Sequence, residues 1–181
     1  MFQKLTANLK LFLLPIVALL LLGGILICLC ANGQPKAVAT YEQVWAAIEN
    51  QGVIPTDSTE LFKTTWKDRN DSKGDTLQKA LTFIHKDSGI NFNFFVFTDD
   101  ASAHAARISY WRYLRYDSGR YGSRSTNQEY SSSASNFTIC WVKYDPYYTV
   151  CTRVGNTVIY AEANADSNEL IKEILKEIGY Q

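Results

Sequence analysis

Cys140 and Cys151 are the most specific pair of reactive side chains in the sequence. They lie in two strand-like runs, Asn136 to Tyr144 and Tyr147 to Val154, with Asp145-Pro146 between them as a turn. Folding the chain there sets Trp141 opposite Val150, Ile139 opposite Thr152 and Cys140 opposite Cys151, both sulfurs on the less apolar face. Facing cysteines on neighbouring strands have Cβ atoms close enough to join, which predicts a cross-strand disulfide; two small, buried, reduced thiols are the alternative. There is no C-x-x-C, and Arg153 is the one evident basic neighbour, so redox activity is the weaker reading.

Arg107, Arg112, Arg115, Arg120 and Arg124 face a single acid, Asp117, and alternate with Tyr110, Trp111, Tyr113, Tyr116 and Tyr121. Arginine forks grip phosphates and carboxylates through paired hydrogen bonds, and tyrosine and tryptophan add rigid contact area. The stretch therefore predicts a binding surface made by Arg107, Trp111, Arg112, Arg115, Arg120 and Arg124, suited to an anionic surface polymer, lipid headgroups or a protein partner. The plainer alternative is a row of core aromatics with arginines lying along the surface, heads in water.

Acid–base and metal chemistry have little to work with. The two histidines, His85 and His104, are far apart and outside any metal-ligand spacing, so surface roles are expected for both and no metal or other cofactor. Asp99-Asp100 stands where a strand hands over to a helix, a place that can face a cleft, but helix capping explains it as well. No nucleophile elbow, phosphate-gripping glycine loop or dinucleotide fingerprint is present. Asn70-Asp71-Ser72 and Asn136-Phe137-Thr138 match the N-glycosylation tripeptide.

The elements that must position these residues can be read in order. Thr40 with Gln43 three residues on predicts a capped helix with the stripe Tyr41, Val44, Trp45 and Ile48, stopped at Gly52. A second helix is expected from Asp57, with Glu60 completing its cap and Leu61, Phe62 and Thr65 or Trp66 following; Lys67 to Thr76 reads as a loop. Ala80 to His85 and Ile90 to Phe97 form a hairpin about Asp87-Ser88-Gly89. Phe92 and Phe94 fall on one face and Phe95 and Phe97 on the other, so the far end of that strand must be covered on both sides. A helix from Thr98-Asp99-Asp100 to about Tyr116 follows, with Ala103, Ala106, Tyr110, Tyr113 and Leu114 toward the sheet. Asp117 to Ser135, rich in serine and almost without aliphatic residues, reads as a long loop. Beyond the cysteine hairpin, Thr157 to Ala163 returns at Gly155-Asn156. A last helix, Asp166 to Gly179, carries the stripe Leu170, Ile171, Ile174, Leu175 and Ile178. The order α-α-β-β-α-β-β-β-α predicts an α+β domain with a mainly antiparallel five-stranded sheet packed by helices.

Leu11 to Ala31 holds no charged side chain and would span roughly 30 Å as a helix, the thickness of a bilayer's hydrocarbon core. Lys4 and Lys10 precede it, so the positive-inside bias places residues 1–10 in the cytoplasm, 11–31 across the membrane as an anchor, 32–39 as a tether and 40–181 outside. Two alternatives stand beside a permanent anchor: cleavage near Ala39, at the small-x-small pattern Ala37-Val38-Ala39, and lipidation at Cys28 or Cys30, against which Ile27 and Leu29 are too large. From residue 34 on, the chain's 18 Lys and Arg less the two before that point leave 16 against 18 Asp and Glu. Such a balance argues against a nucleic-acid binder, which needs a surplus of cations. The sequence thus predicts a single-pass, membrane-anchored extracytoplasmic domain of non-enzymatic binding or sensing function. A small cell-envelope hydrolase and an accessory subunit of a membrane complex are the alternatives.

Overall fold

Four strands of this chain are buried along nearly their whole length, which requires cover on both faces of the sheet they form. The computed structural model describes residues 35–69, 71–113, 128–144 and 146–181. The expected membrane span at Leu11 to Ala31 and the lead before it lie outside these residues. Among the described residues no helix is long and apolar enough to cross a membrane.

The elements in chain order are α1 (Tyr41–Asn50), β1 (Thr56–Asp57), α2 (Thr59–Asp68), α3 (Lys73–Thr76), β2 (Leu77–His85), β3 (Ile90–Phe97), α4 (Asp100–Arg112), β4 (Gln128–Ala134), β5 (Phe137–Tyr144), β6 (Tyr147–Val154), β7 (Thr157–Asn164) and α5 (Glu169–Glu177). The protein is α+β, with one sheet in the order β1-β2-β3-β7-β6-β5-β4 and every neighbouring pair antiparallel. On one face Leu81, Phe92, Phe94, Val150 and Ile159 pack with Val44 and Ile48 of α1 and Ile171, Ile174 and Leu175 of α5. On the other, Phe95, Phe97 and Val158 pack with Trp66 of α2 and Ala103 and Ala106 of α4. Phe92, Phe94, Phe95 and Phe97 are all fully buried. At about 1.5–3 kcal/mol for each such side chain, this single strand anchors both apolar layers.

The sheet has seven strands rather than the expected five. β4 lies inside the stretch read as a loop, where its small polar residues show no alternating apolar signal. It is held instead by residue-by-residue pairing with β5, Ser131 opposite Cys140 and Tyr130 opposite Trp141. β1 is only two residues long, pairing Thr56 with Thr82. α2 begins at Thr59, not Asp57, because the Asp57 backbone pairs with β2 while its carboxylate accepts the Thr59 N–H at 2.9 Å. Phe62 and Trp66 point inward and Leu61 is exposed. The helix from Asp100 carries Ala103, Ala106 and Tyr110 against the sheet as expected, but Tyr113 is exposed and Leu114 lies outside the described residues. α5 starts at Glu169 with Asn168 before it and no side-chain cap, so Asp166 does not hold its end.

The expected tether is, from Pro35 on, built into the domain. Lys36 and Asn136 exchange two hydrogen bonds, Lys36 N–H to Asn136 Oδ1 at 3.1 Å and Asn136 Nδ2 to the Lys36 carbonyl at 2.7 Å. The Ala39 N–H donates to the buried Tyr180 hydroxyl at 2.9 Å, which shares a 2.7 Å hydrogen bond with Thr157 Oγ1. Gly155 turns beneath this strap at φ +53°, and a Cβ there would sit 2.5 Å from Val38 Cγ2. Asn136, a glycosylation match, therefore has its amide spent on backbone; Asn70, the other, lies outside the described residues.

A chain beginning at Thr40 loses these three strap hydrogen bonds, at about 1 kcal/mol each. Urea unfolding should find it about 3 kcal/mol less stable than one beginning at Pro35, with Asn136→Ala reproducing part of the loss; equal midpoints would show the strap to be idle. The Thr59 N–H and the Tyr41 hydroxyl hold the Asp57 carboxyl below its ordinary range. Its stabilisation is complete above about pH 4 and is lost as the pH falls through the lower native value. In Asp57→Asn that acid-side loss should shrink in a pH series of thermal melts.

Candidate functional site

Helix α5 is nine residues long, and the strands it covers reach beyond it. The uncovered ends of β4, β5 and β6 leave a cleft of about 380 Å³ between the sheet and α5. That volume lies in the range of small-molecule sites. Period-two alternation puts one aromatic from each strand on this face. Tyr130 stacks on Trp141 with ring centroids 6.0 Å apart, and Trp141 leans on Tyr148 at 5.9 Å. Ile139, Val150 and Leu175 complete the apolar lining.

The polar groups of the cleft come from both walls. Gln128 and Lys143 stand on the strands, and Asn168, Lys172 and Gln181 on the helix side. Lys172 Nζ lies 2.7 Å from Glu169 Oε1 and 5.9 Å from the centre of the Tyr148 ring. Its charge is therefore balanced before any ligand arrives. Burial, with the Glu169 carboxylate adding to it, pushes the Tyr148 phenol up to about 12, so it stays a neutral hydrogen-bond donor. Thr152 lines the base of the cleft; it is fully buried, and its hydroxyl has no hydrogen-bond partner among the described residues. A buried hydroxyl left unpaired beside a cavity is an unusual cost in a folded core, and binding sites tolerate such costs.

The opposite face of the same strands holds the cysteines. Trp141 pairs with Val150 and Thr138 with Arg153, and the same register carried between them sets Cys140 across from Cys151, at positions where the two strands are not themselves paired. Both are free, buried thiols, and the predicted disulfide is not made. Each sulfur instead meets Arg107 of α4. The guanidinium donates to Cys140 Sγ at 2.9 Å, and Cys151 Sγ donates to the Arg107 carbonyl at 3.5 Å. Ser131 Oγ lies 3.2 Å from Cys140 Sγ on its other side.

The predicted arginine surface is thereby divided. Arg107 points inward to sulfur, with its guanidinium 5.4 Å from the Trp111 ring. Arg112 is exposed. Arg115, Arg120 and Arg124 lie outside the described residues. Tyr110 is not a surface residue either, since it stacks between Phe95 and Tyr160 at 5.6 and 4.8 Å.

The remaining candidates have structural roles. Asp99 caps α4, its carboxylate accepting from Ser102 N–H at 2.8 Å and Thr98 Oγ1 at 2.9 Å, which holds it below the usual carboxylate range. Asp100 lies 3.9 Å from Arg153 Nη1. His85 Nδ1 is 2.7 Å from Ser88 Oγ, but across an exposed turn, and His104 is exposed on α4. Neither borders the cleft. Among the described residues no group of three or more acidic, histidine or cysteine side chains could hold a metal.

Sequence reasoning passed over the cleft because it set Trp141 opposite Val150 on the more apolar face of the strands, where an aromatic ring is ordinary core. The signal was present in the register, which puts Trp141 on the face that a short final helix has to cover. No family model matches the chain, and no curated protein does. Among solved structures, the chain is similar to a GTP binding regulator from Thermotoga maritima, at 14% identity over 80% of this chain and 91% of that one. The TM-score is 0.40, too slight a likeness to carry an argument about fold or function.

Proposed function

We propose that this chain is a single-pass, membrane-anchored extracytoplasmic binding domain without catalytic activity, and that its ligand is an acidic oligosaccharide of a surface polymer held in the cleft beneath α5. Residues 11–31 are the anchor and residues 1–10 its cytoplasmic lead. The carrying observation is the composition of the cleft, in which the rings of Trp141 and Tyr148, with Tyr130 stacked on Trp141 beside them, are edged by amides and lysines. Flat aromatic faces pack against the C–H faces of sugar rings, and side-chain amides exchange hydrogen bonds with hydroxyl groups. The preference for an acidic sugar rests on Lys143, because Lys172 is already paired with Glu169.

Titration of the Pro35–Gln181 domain with uronic-acid oligosaccharides and their neutral counterparts, read by calorimetry, should give saturable binding that favours the acidic set and weakens with salt. Trp141→Ala should weaken it at least about tenfold, a loss of about 1.4 kcal/mol. Binding indifferent to Trp141→Ala, or none at all, would sink the reading. The anchor is tested separately by carbonate washing of membranes. The full chain should stay with the pellet, whereas release into the medium with a new N-terminus near Thr40 would make it a secreted protein.

A further inference from the structure

Asn168 stands immediately before α5, where an asparagine ordinarily folds back to cap the helix. It does not do so here. Its backbone is helical, at φ −87° and ψ −6°, instead of extended, and its side chain makes no cap hydrogen bond. The residue is only 6% exposed, and its amide has no hydrogen-bond partner among the described residues. What the side chain borders is the cleft. The Thr152 hydroxyl at the base of the cleft is sealed from solvent, whereas neither amide atom of Asn168 is sealed in that way. A nearly buried amide with an idle acceptor and an idle donor costs a folded protein stability, and a ligand that meets both removes the cost.

The surroundings narrow the group that fits. Glu169, next in the chain to Asn168, helps to raise the Tyr148 phenol, which places that hydroxyl at the same end of the cleft as a neutral donor. Lys143 pairs with Tyr148 across the strands and lines the cleft beside it, while the Lys172 ammonium is taken by Glu169. A carboxylate brings no proton for Asn168 Oδ1, and Lys143 is the better seat for it. An acetamido group turns its N–H and C=O in opposite directions across a trans amide, so it meets one atom of Asn168 and not both. Two hydroxyl groups on adjacent ring carbons each donate and accept, and their oxygens lie side by side as Oδ1 and Nδ2 do.

We infer that Asn168 is a specificity-determining residue of the cleft, selecting a sugar ring that carries two adjacent, unsubstituted hydroxyl groups. One hydroxyl donates to Oδ1 and the other accepts from Nδ2–H, with the Tyr148 hydroxyl available to either. The carboxylate of the same sugar chain turns to Lys143, and a flat ring face packs on Trp141. The inference rests on the reading of the cleft as an oligosaccharide site. It adds that glycosidic bonds and other substituents of the ring held there leave the hydroxyl pair free.

The full chain in detergent micelles, titrated by calorimetry, separates the two. Asn168→Leu should weaken uronic-acid oligosaccharides and their neutral counterparts alike, by roughly tenfold, and leave the ratio between them unchanged. It should also melt no lower than the unaltered protein, because the amide caps nothing; a lowered melting temperature with unchanged binding would make Asn168 a structural residue and overturn the inference. Among methyl uronosides that each lack one ring hydroxyl, the loss of affinity should fall on two adjacent positions and disappear in Asn168→Leu. Losses at separated positions, or losses of equal size in the variant, would also overturn it. If Trp141→Ala weakens binding and Asn168→Leu does not, the oligosaccharide reading stands and this inference alone falls. If the unaltered protein binds none of these sugars, both fall.

Discussion

The structure depends on strands that are buried on both faces. In β3, β6 and β7 successive side chains enter opposite dry layers, so no helix can be removed without exposing half of a strand's residues. Phe92 and Phe94 require α1 and α5 above them, and Phe95 and Phe97 require α2 and α4 below. The strap at residues 35–39, the seat of Tyr180 and the inward turn of Arg107 all result from closing those two layers.

The same constraint decides where chemistry can occur. Cover is complete at the centre of the sheet and thins toward β4 and β5, because α5 is too short and α4 lies chiefly over β6 and β7. One face of that edge becomes the aromatic cleft and the other the sulfur pair beneath Arg107. Trp141 and Cys140 are neighbours in the chain, yet they serve opposite sides of the molecule through the two-residue period of a strand.

Much of this was legible along the chain. The capping box at Thr40 and Gln43, the hairpin closed by Gly89, the two-sided burial of Phe92 to Phe97 and the register of β5, β6 and β7 were all expected and are all present. These features rest on local periodicity and on turn chemistry, which a sequence carries directly. β4 was missed because an edge strand built from serine is stabilised by main-chain pairing, which leaves no mark on side-chain pattern. Arg107 was misjudged for a related reason. Its position among tyrosines on α4 suited a surface fork, and only the placement of that helix over β6 and β7, from which the side chain reaches β5, gives it a sulfur to meet.

The sequence by itself determined the apolar run at Leu11 to Ala31, the near-neutral charge of the chain beyond it, the α+β class and the opposition of Cys140 to Cys151, since each depends on composition or on spacing along one stretch of chain. Tertiary structure alone decided that Arg107 meets the sulfurs, that residues 35–39 bind the domain instead of swinging from it, and that Trp141 and Tyr148 line an open cleft. Each of those results is a meeting of residues remote in the chain, brought about by how far a helix reaches across a sheet. That reach is set by the packing of whole layers and cannot be read from any single segment.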